Sequence, residues 1–178
     1  MDIRELDLPG CFELVPKRFS DCRGIFVKTF HKDLFEHYGL AVDYKEQYYS
    51  CSSKNVLRGL HFQIPPCDHA KLVYCLHGEV ADVFVDLRRQ SPTYGRYQML
   101  RLSSDEANMI YLPSGIAHGF QVLSDTATLV YNVTSVHSPE HDSGIHWDSL
   151  DIPWPLADPI VSERDRHLPA FNQFVSPF

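Results

Sequence analysis

Short runs of Val, Ile, Leu, Tyr and Phe, broken by turn residues, recur along the first three quarters of the chain. They cover residues 24–30, 44–53, 56–63, 71–76, 80–87, 97–102, 109–112 and 127–134. β-Branched and aromatic residues favour strands, so these runs predict eight of them. Regular spacing, with turns such as Ser91-Pro92-Thr93-Tyr94-Gly95 and Pro113-Ser114-Gly115 between runs, predicts an all-β antiparallel barrel or jelly roll rather than a β-α-β fold. One short helix interrupts it. Residues 32–38 place Leu34, Phe35 and Tyr38 at i, i+1, i+4 spacing, and Gly39 follows as a C-terminal cap.

After Ser138 the pattern changes. Six of the twelve prolines fall in this last stretch, and proline cannot sit in a central strand. An irregular tail is expected to wrap the barrel, anchored by Ile145, Trp147, Ile152 and Trp154. No internal repeat or linker divides the chain, so residues 1–178 are read as a single domain. Its 178 residues, 44% hydrophobic and 22% charged, suit one ordinary globular core.

Charge and cysteine usage remove several classes of function. A net charge of −7 disfavours a broad basic surface, so neither nucleic acid nor an anionic membrane is expected as a partner. No apolar run approaches the ~18 residues a membrane helix needs. The five cysteines are odd in number and hold no C-x-x-C pair, which predicts free thiols. The opening Met1-Asp2-Ile3-Arg4-Glu5 lacks a signal-peptide pattern, so a cytoplasmic location is expected.

Of the ten histidines, His31, His37, His69, His77, His141, His146 and His167 lie beside turns, on a helix face or in the tail, and read as solvated or capping groups. His61 and His118 differ. In residues 56–63, alternation puts Leu57, Gly59, His61 and Gln63 on one face and Val56, Arg58, Leu60 and Phe62 on the other. A bulge at Gly59 would break that alternation and turn Arg58 toward the His61 cavity. Lys71 heads a strand whose Val73 and Cys75 side looks inward, where a lysine needs a wet or anionic site. Asp82 reads either as a partner for a basic group or as an edge carboxylate.

The stretch Pro113-Ser114-Gly115-Ile116-Ala117-His118 resembles the second cupin motif, P-x-G-x-x-H. The first motif of metal-binding cupins needs His-x-His and a later Glu, so that imidazoles and a carboxylate converge on one ion. Here the chain reads His61-Phe62-Gln63, and the charged residue that follows is Lys71. A cupin jelly roll without metal or other cofactor is therefore expected.

At this point the chain resembles the dTDP-4-dehydrorhamnose 3,5-epimerase family of metal-free cupins. The resemblance rests on residues 19–26, 56–63, 71–73, 78–80, 82–88, 91–93, 117–124 and 162–165. It implies an epimerase of nucleotide-diphosphate 4-keto-6-deoxy sugars, in deoxysugar supply for polysaccharides such as lipopolysaccharide O-antigen. By the same resemblance His61 is the base, Asp165 orients it, Tyr131 is the opposing proton donor, and Arg23, Arg58 and His118 hold the diphosphate. The chemistry suits these types, because a proton beside a ketone leaves only if a base takes it and a positive donor, here Lys71, stabilises the enolate. The family is homodimeric, with an N-terminal segment of one subunit reaching the nucleotide of the other.

Three positions depart from the family pattern. His137 stands where a second active-site tyrosine is usual, which favours inversion at C3 alone. Lys28 stands where a glutamate usually faces thymine, and with Phe26 as a stacking platform it leans the base toward cytidine. Glu46-Gln47-Tyr48 replaces Gln-x-Asn, altering substrate contacts at Glu46 and Tyr48. The competing readings are a metal-dependent cupin, a nucleotide-sugar 3,4-ketoisomerase and a sugar-binding regulatory cupin without catalysis.

Overall fold

A computed structural model describes residues 1–178. Along the chain the strands are β1 (Asp2–Glu5), β2 (Phe12–Val15), β3 (Arg18–Asp21), β4 (Gly24–Val27), β5 (Glu46–Ser53), β6 (Val56–Gln63) and β7 (Lys71–His77). They continue as β8 (Glu79–Asp86), β9 (Tyr97–Ser103), β10 (Met109–Leu112), β11 (Ile116–Val122), β12 (Thr126–Val133), β13 (Asp142–Gly144) and β14 (Ile160–Val161). Helix α1 (Lys32–His37) lies between β4 and β5, α2 (Glu163–Arg166) follows β14, and a 3₁₀ turn spans Phe171–Gln173.

Two sheets face one another, ordered β1-β2-β10-β7-β12-β5 and β13-β6-β11-β8-β9, while the β3–β4 hairpin pairs with neither. Every ladder is antiparallel except the short β14·β6 pair. The main core fills the space between the sheets, with Val73, Cys75, Leu129 and Tyr131 from one meeting Val80, Phe84 and Phe120 from the other. Jelly-roll packing of this kind leaves an open mouth at the end of the sandwich, and the site lies there.

A second core forms on the outer face of the β6-β11-β8 sheet, where Leu60, Phe62, Val83, Val85 and Ala117 pack against Ile145 and Ile152 of the tail. The tail covers that face as expected, with Trp154 packed on it and donating from its indole N–H to the Trp147 carbonyl at 3.1 Å. Covering both faces explains one strand the sequence pattern misses. Residues 116–122 are buried throughout, so β11 shows no apolar-polar alternation. The pattern also misses β1, β2 and β3, which are only four residues long, and the short ordered pieces β13, β14 and α2 within the tail. Helix α1 forms where expected, burying Phe35 with Leu14, Leu72 and Met109 on the outer face of the first sheet.

Simple alternation fails in β6, and the bulge alternative holds. His118 of β11 stands opposite His61, but Phe120 stands opposite Arg58, so two residues on β11 span three on β6. Gly59 sits at the slip with φ +130°, and a Cβ there would lie 2.5 Å from the Gly119 Cα. Only glycine fits that approach. The slip sends Leu60 and Phe62 into the outer core and brings Arg58 and His61 to the same cavity.

Candidate active site

A cleft opens between β5, β7 and β12 of one sheet and β6 and β11 of the other. It has two adjoining lobes that share Tyr48, His61 and Lys71. The inner lobe, about 190 Å³, adds Ser50, Arg58, His118 and Tyr131. The outer lobe, about 330 Å³, adds Glu46, Gln63, His69, His137, Asp142 and Arg164.

His61 joins the lobes, and its Nε2 lies 2.6 Å from Asp165 Oδ1. The carboxylate is buried, and its Oδ2 accepts the Gly59 N–H at 3.1 Å. The bulge and the dyad are thus one feature, since the slip in the ladder frees that N–H to hold Asp165. Helix α2 presents Asp165, and the Ser162 hydroxyl caps the helix by accepting the Asp165 N–H at 3.1 Å. Burial pushes the Asp165 carboxyl upward, but contact with His61, the Gly59 N–H and nearby Arg164 outweigh it and hold the group below its ordinary value. An ionised carboxylate can only accept, so His61 Nε2 carries the proton and Nδ1 keeps a free lone pair.

Lys71 is only 6% exposed and donates from Nζ to the His61 carbonyl at 3.0 Å. Burial brings its ammonium down to about 8, with Asp142 and Asp82 pulling the other way. Tyr131 faces the base from the opposite sheet. Its ring stacks on Tyr48 at 4.8 Å, and its hydroxyl lies 3.5 Å from Ser50 Oγ. Burial drives the Tyr131 phenol far above its ordinary value, so it keeps its proton at neutral pH. The Tyr48 phenol is raised to about 12, by burial and then by Glu46 and Asp142.

His118 forms the floor of the inner lobe, with Nε2 at 2.7 Å from Asp82 Oδ2. Of the two readings for Asp82, partner to a basic group is the one the structure bears out. Burial raises its carboxyl, against which His118 and Lys71 act. Arg58 reaches into the same lobe and donates from Nε to Ser52 Oγ at 3.0 Å. In the outer lobe, Glu46 accepts the His137 N–H at 2.7 Å, so both substituted positions stand together at the mouth.

Within the single chain, three of the expected substrate contacts are not brought to the cleft. Arg23 and Phe26 lie on the β3–β4 hairpin and Lys28 just beyond it, all exposed, and Arg23 pairs with Asp21 at 2.5 Å. Conversely, the cleft contains groups the sequence does not announce. Asp142 and Arg164 form a 2.8 Å ion pair on its rim, and only the adjacency of Arg164 to Asp165 hints at it. His69, read as a solvated or capping group, instead lines the outer lobe and shares Ser135 Oγ with Gln63. Burial, then Lys71 and His137, push its imidazole down to about 3. No three His, Cys, Asp or Glu side chains converge on a point where they could hold a metal ion.

Residues 5–173 match the family model described as dTDP-4-dehydrorhamnose 3,5-epimerase. The dTDP-4-dehydrorhamnose 3,5-epimerase of Shigella flexneri is 40% identical over 168 residues, covering 93% of each chain. The dTDP-4-dehydrorhamnose 3-epimerase of Streptomyces niveus is 39% identical over 169 residues, covering 93% of this chain and 82% of that one. A crystal structure of dTDP-4-dehydrorhamnose 3,5-epimerase from Bacillus anthracis, with TDP and pyrophosphate bound, superposes with a TM-score of 0.92 at 36% identity, covering 95% of this chain and 98% of that one. With its cupin-type jelly roll, its paired His61 and Asp165 and a match over nearly its whole length, this chain belongs to the dTDP-4-dehydrorhamnose 3,5-epimerase family and is a nucleotide-sugar epimerase.

Proposed function

We propose that the enzyme inverts C3 of a nucleotide-diphosphate 4-keto-6-deoxyhexose, with the sugar in the inner lobe between His61 and Tyr131. The carrying observation is the His61–Asp165 contact at 2.6 Å, set across the lobe from a buried phenol. His61 Nδ1 takes the C3 proton, and the C–H electron pair moves into an enolate with its charge on the C4 oxygen. Lys71 Nζ stabilises that oxygen, and the Tyr131 hydroxyl returns a proton to the opposite face. Arg58, at the open side of the lobe, holds the diphosphate. Tyr131 is the one phenol so placed, while His137 stands exposed at the mouth, which favours one centre over two.

For the nucleotide we propose thymidine diphosphate, in place of the cytidine that Lys28 suggests. Lys28 is exposed and takes part in no hydrogen bond or ion pair here, whereas relatives about 40% identical are named for thymidine nucleotides. We also propose a homodimer. Phe19 and Phe26 are 60% and 61% exposed on a hairpin that packs in neither sheet, and Arg23 lies between them in sequence. A second copy would cover these rings and receive Arg23, Phe26 and Lys28 beside its nucleotide. The reading places the enzyme in the cytoplasm, supplying a deoxysugar for a surface polysaccharide such as lipopolysaccharide O-antigen.

Incubation with dTDP-4-keto-6-deoxyglucose in deuterated water, read by NMR, tests the reaction. Deuterium enters at C3 and not C5, and His61→Ala abolishes it. Comparable entry at both carbons would replace the single inversion with a double one, and full exchange in His61→Ala would remove the mechanism. Competition by dTDP, CDP, GDP and UDP tests the base, and sedimentation with wild type and Phe26→Asp tests the dimer.

A further inference from the structure

The reaction as described leaves one buried acid unused. Asp82 lies in the middle of β8, fully buried, with Oδ2 on His118 Nε2 at 2.7 Å and no hydrogen-bond partner for Oδ1. A carboxylate so placed needs a counter-charge, because neither water nor an N–H satisfies its second oxygen. His118 is the group in contact with it. The other titratable groups packed around that ring are His61 and Arg58 from β6, Lys71 from β7 and Tyr131 from β12, none of them a carboxylate.

The position of His118 is as informative as its partner. It stands directly opposite His61 in the β11·β6 register, and its ring meets the Tyr131 ring edge-on at 6.1 Å. It is only 4% exposed, at the bottom of the lobe. A group there, beside both the base and the donor, is close to C3 and hence to the neighbouring C4 oxygen, and away from the open side where Arg58 stands. Since Asp82 can only accept, His118 Nε2 carries a proton, and Nδ1 is the nitrogen left to the substrate.

We propose that Asp82 is a positioning residue that holds His118 as an imidazolium, with its Nδ1–H directed at the C4 oxygen. The enolate oxygen then has two cationic donors, Lys71 and His118, and the diphosphate role implied for His118 by resemblance passes to Arg58. This rests on the C3-epimerase reading. A donor fixed before charge develops stabilises the enolate more than the ketone, so its loss falls on kcat rather than on KM.

The test needs no variant at its first step. In wild-type enzyme labelled with ¹⁵N-histidine, both ring nitrogens of His118, assigned by difference from His118→Gln, should show attached protons at neutral pH. A neutral His118 ring overturns the proposal. Asp82→Asn keeps the shape and an acceptor but loses the charge, and should lower kcat for C3 exchange about ten- to a hundredfold with KM changed less than about threefold. His118→Gln should show a similar loss, and the double variant no further one. Wild-type kcat in Asp82→Asn, a loss confined to KM, or losses that multiply in the double variant would each overturn it. Wild-type exchange that His61→Ala removes is the separate check on the epimerase reading, which stands whichever way Asp82 behaves.

Discussion

Replacing Asp165 with asparagine puts the dyad under the most specific strain, because the side chain keeps its size and loses only one acceptor. In the native site one carboxylate oxygen receives the His61 Nε2 proton at 2.6 Å and the other receives the Gly59 N–H at 3.1 Å. An amide has a single oxygen, so it cannot serve both. If that oxygen faces Gly59, the NH₂ group faces His61 and forces the proton from Nε2 to Nδ1, which removes the lone pair that takes the substrate proton. If it faces His61, two donors collide at Gly59, whose glycine-only backbone cannot turn away without disturbing Gly119. Either way the charge that balances the imidazolium formed during proton abstraction is gone. Wrong-tautomer and general-base losses of this kind run from about 10² to 10⁴-fold, or roughly 2.7–5.4 kcal/mol of barrier. The assay is the initial rate of deuterium entry at C3 by NMR, with thermal melting to confirm that the variant is folded. A folded Asp165→Asn that exchanges within threefold of wild type would mean that His61 works without its carboxylate.

Other outcomes test neighbouring parts of the structure. Ser162→Ala removes the cap of α2 and should cost about 1 kcal/mol in chemical denaturation, with a fall in exchange because α2 carries Asp165. Gly59→Ala should destabilise by more than about 2 kcal/mol, since both the positive φ and the 2.5 Å approach to Gly119 oppose a methyl group; an unchanged denaturation midpoint would contradict the packing described. Burial pushes the Asp86 carboxyl upward, but hydrogen bonds from Arg88, Ser91 and Thr93 outweigh it and bring the group down to about 2. Because its folded value lies below the unfolded one, its contribution of about 2 kcal/mol is complete above pH ~4 and is lost as pH falls toward 2, so the stability gap between wild type and Asp86→Asn should close over that window. Chelation with EDTA should leave C3 exchange unchanged, as the donor set around His61 and His118 lacks a third ligand; activity lost and restored by one metal would favour the metal-dependent reading.

Residue chemistry alone determined the main outline. Eight of the strands are legible because each has enough β-branched and aromatic residues between turns, and α1 because its apolar spacing ends at a glycine. His61, Lys71 and Tyr131 are legible as chemistry through their residue types and a motif pattern long enough to resemble one family. Their convergence is not. His61 lies 104 positions from Asp165, and only the wrapping of the tail, which pairs β13 and β14 with β6, places that carboxylate against the imidazole. Alternation along β6 predicts that Arg58 and His61 point to opposite faces, and the side to which Arg58 turns is decided by a slip against β11, a strand whose burial on both faces erases its own pattern. Asp142, Arg164 and His69 enter the cleft by the same long-range route. Local sequence fixes what each side chain is able to do and which strands can form, because those properties depend on the residue and its near neighbours. Which groups share a cavity depends on contacts between distant segments, and here the tail and the bulge make them.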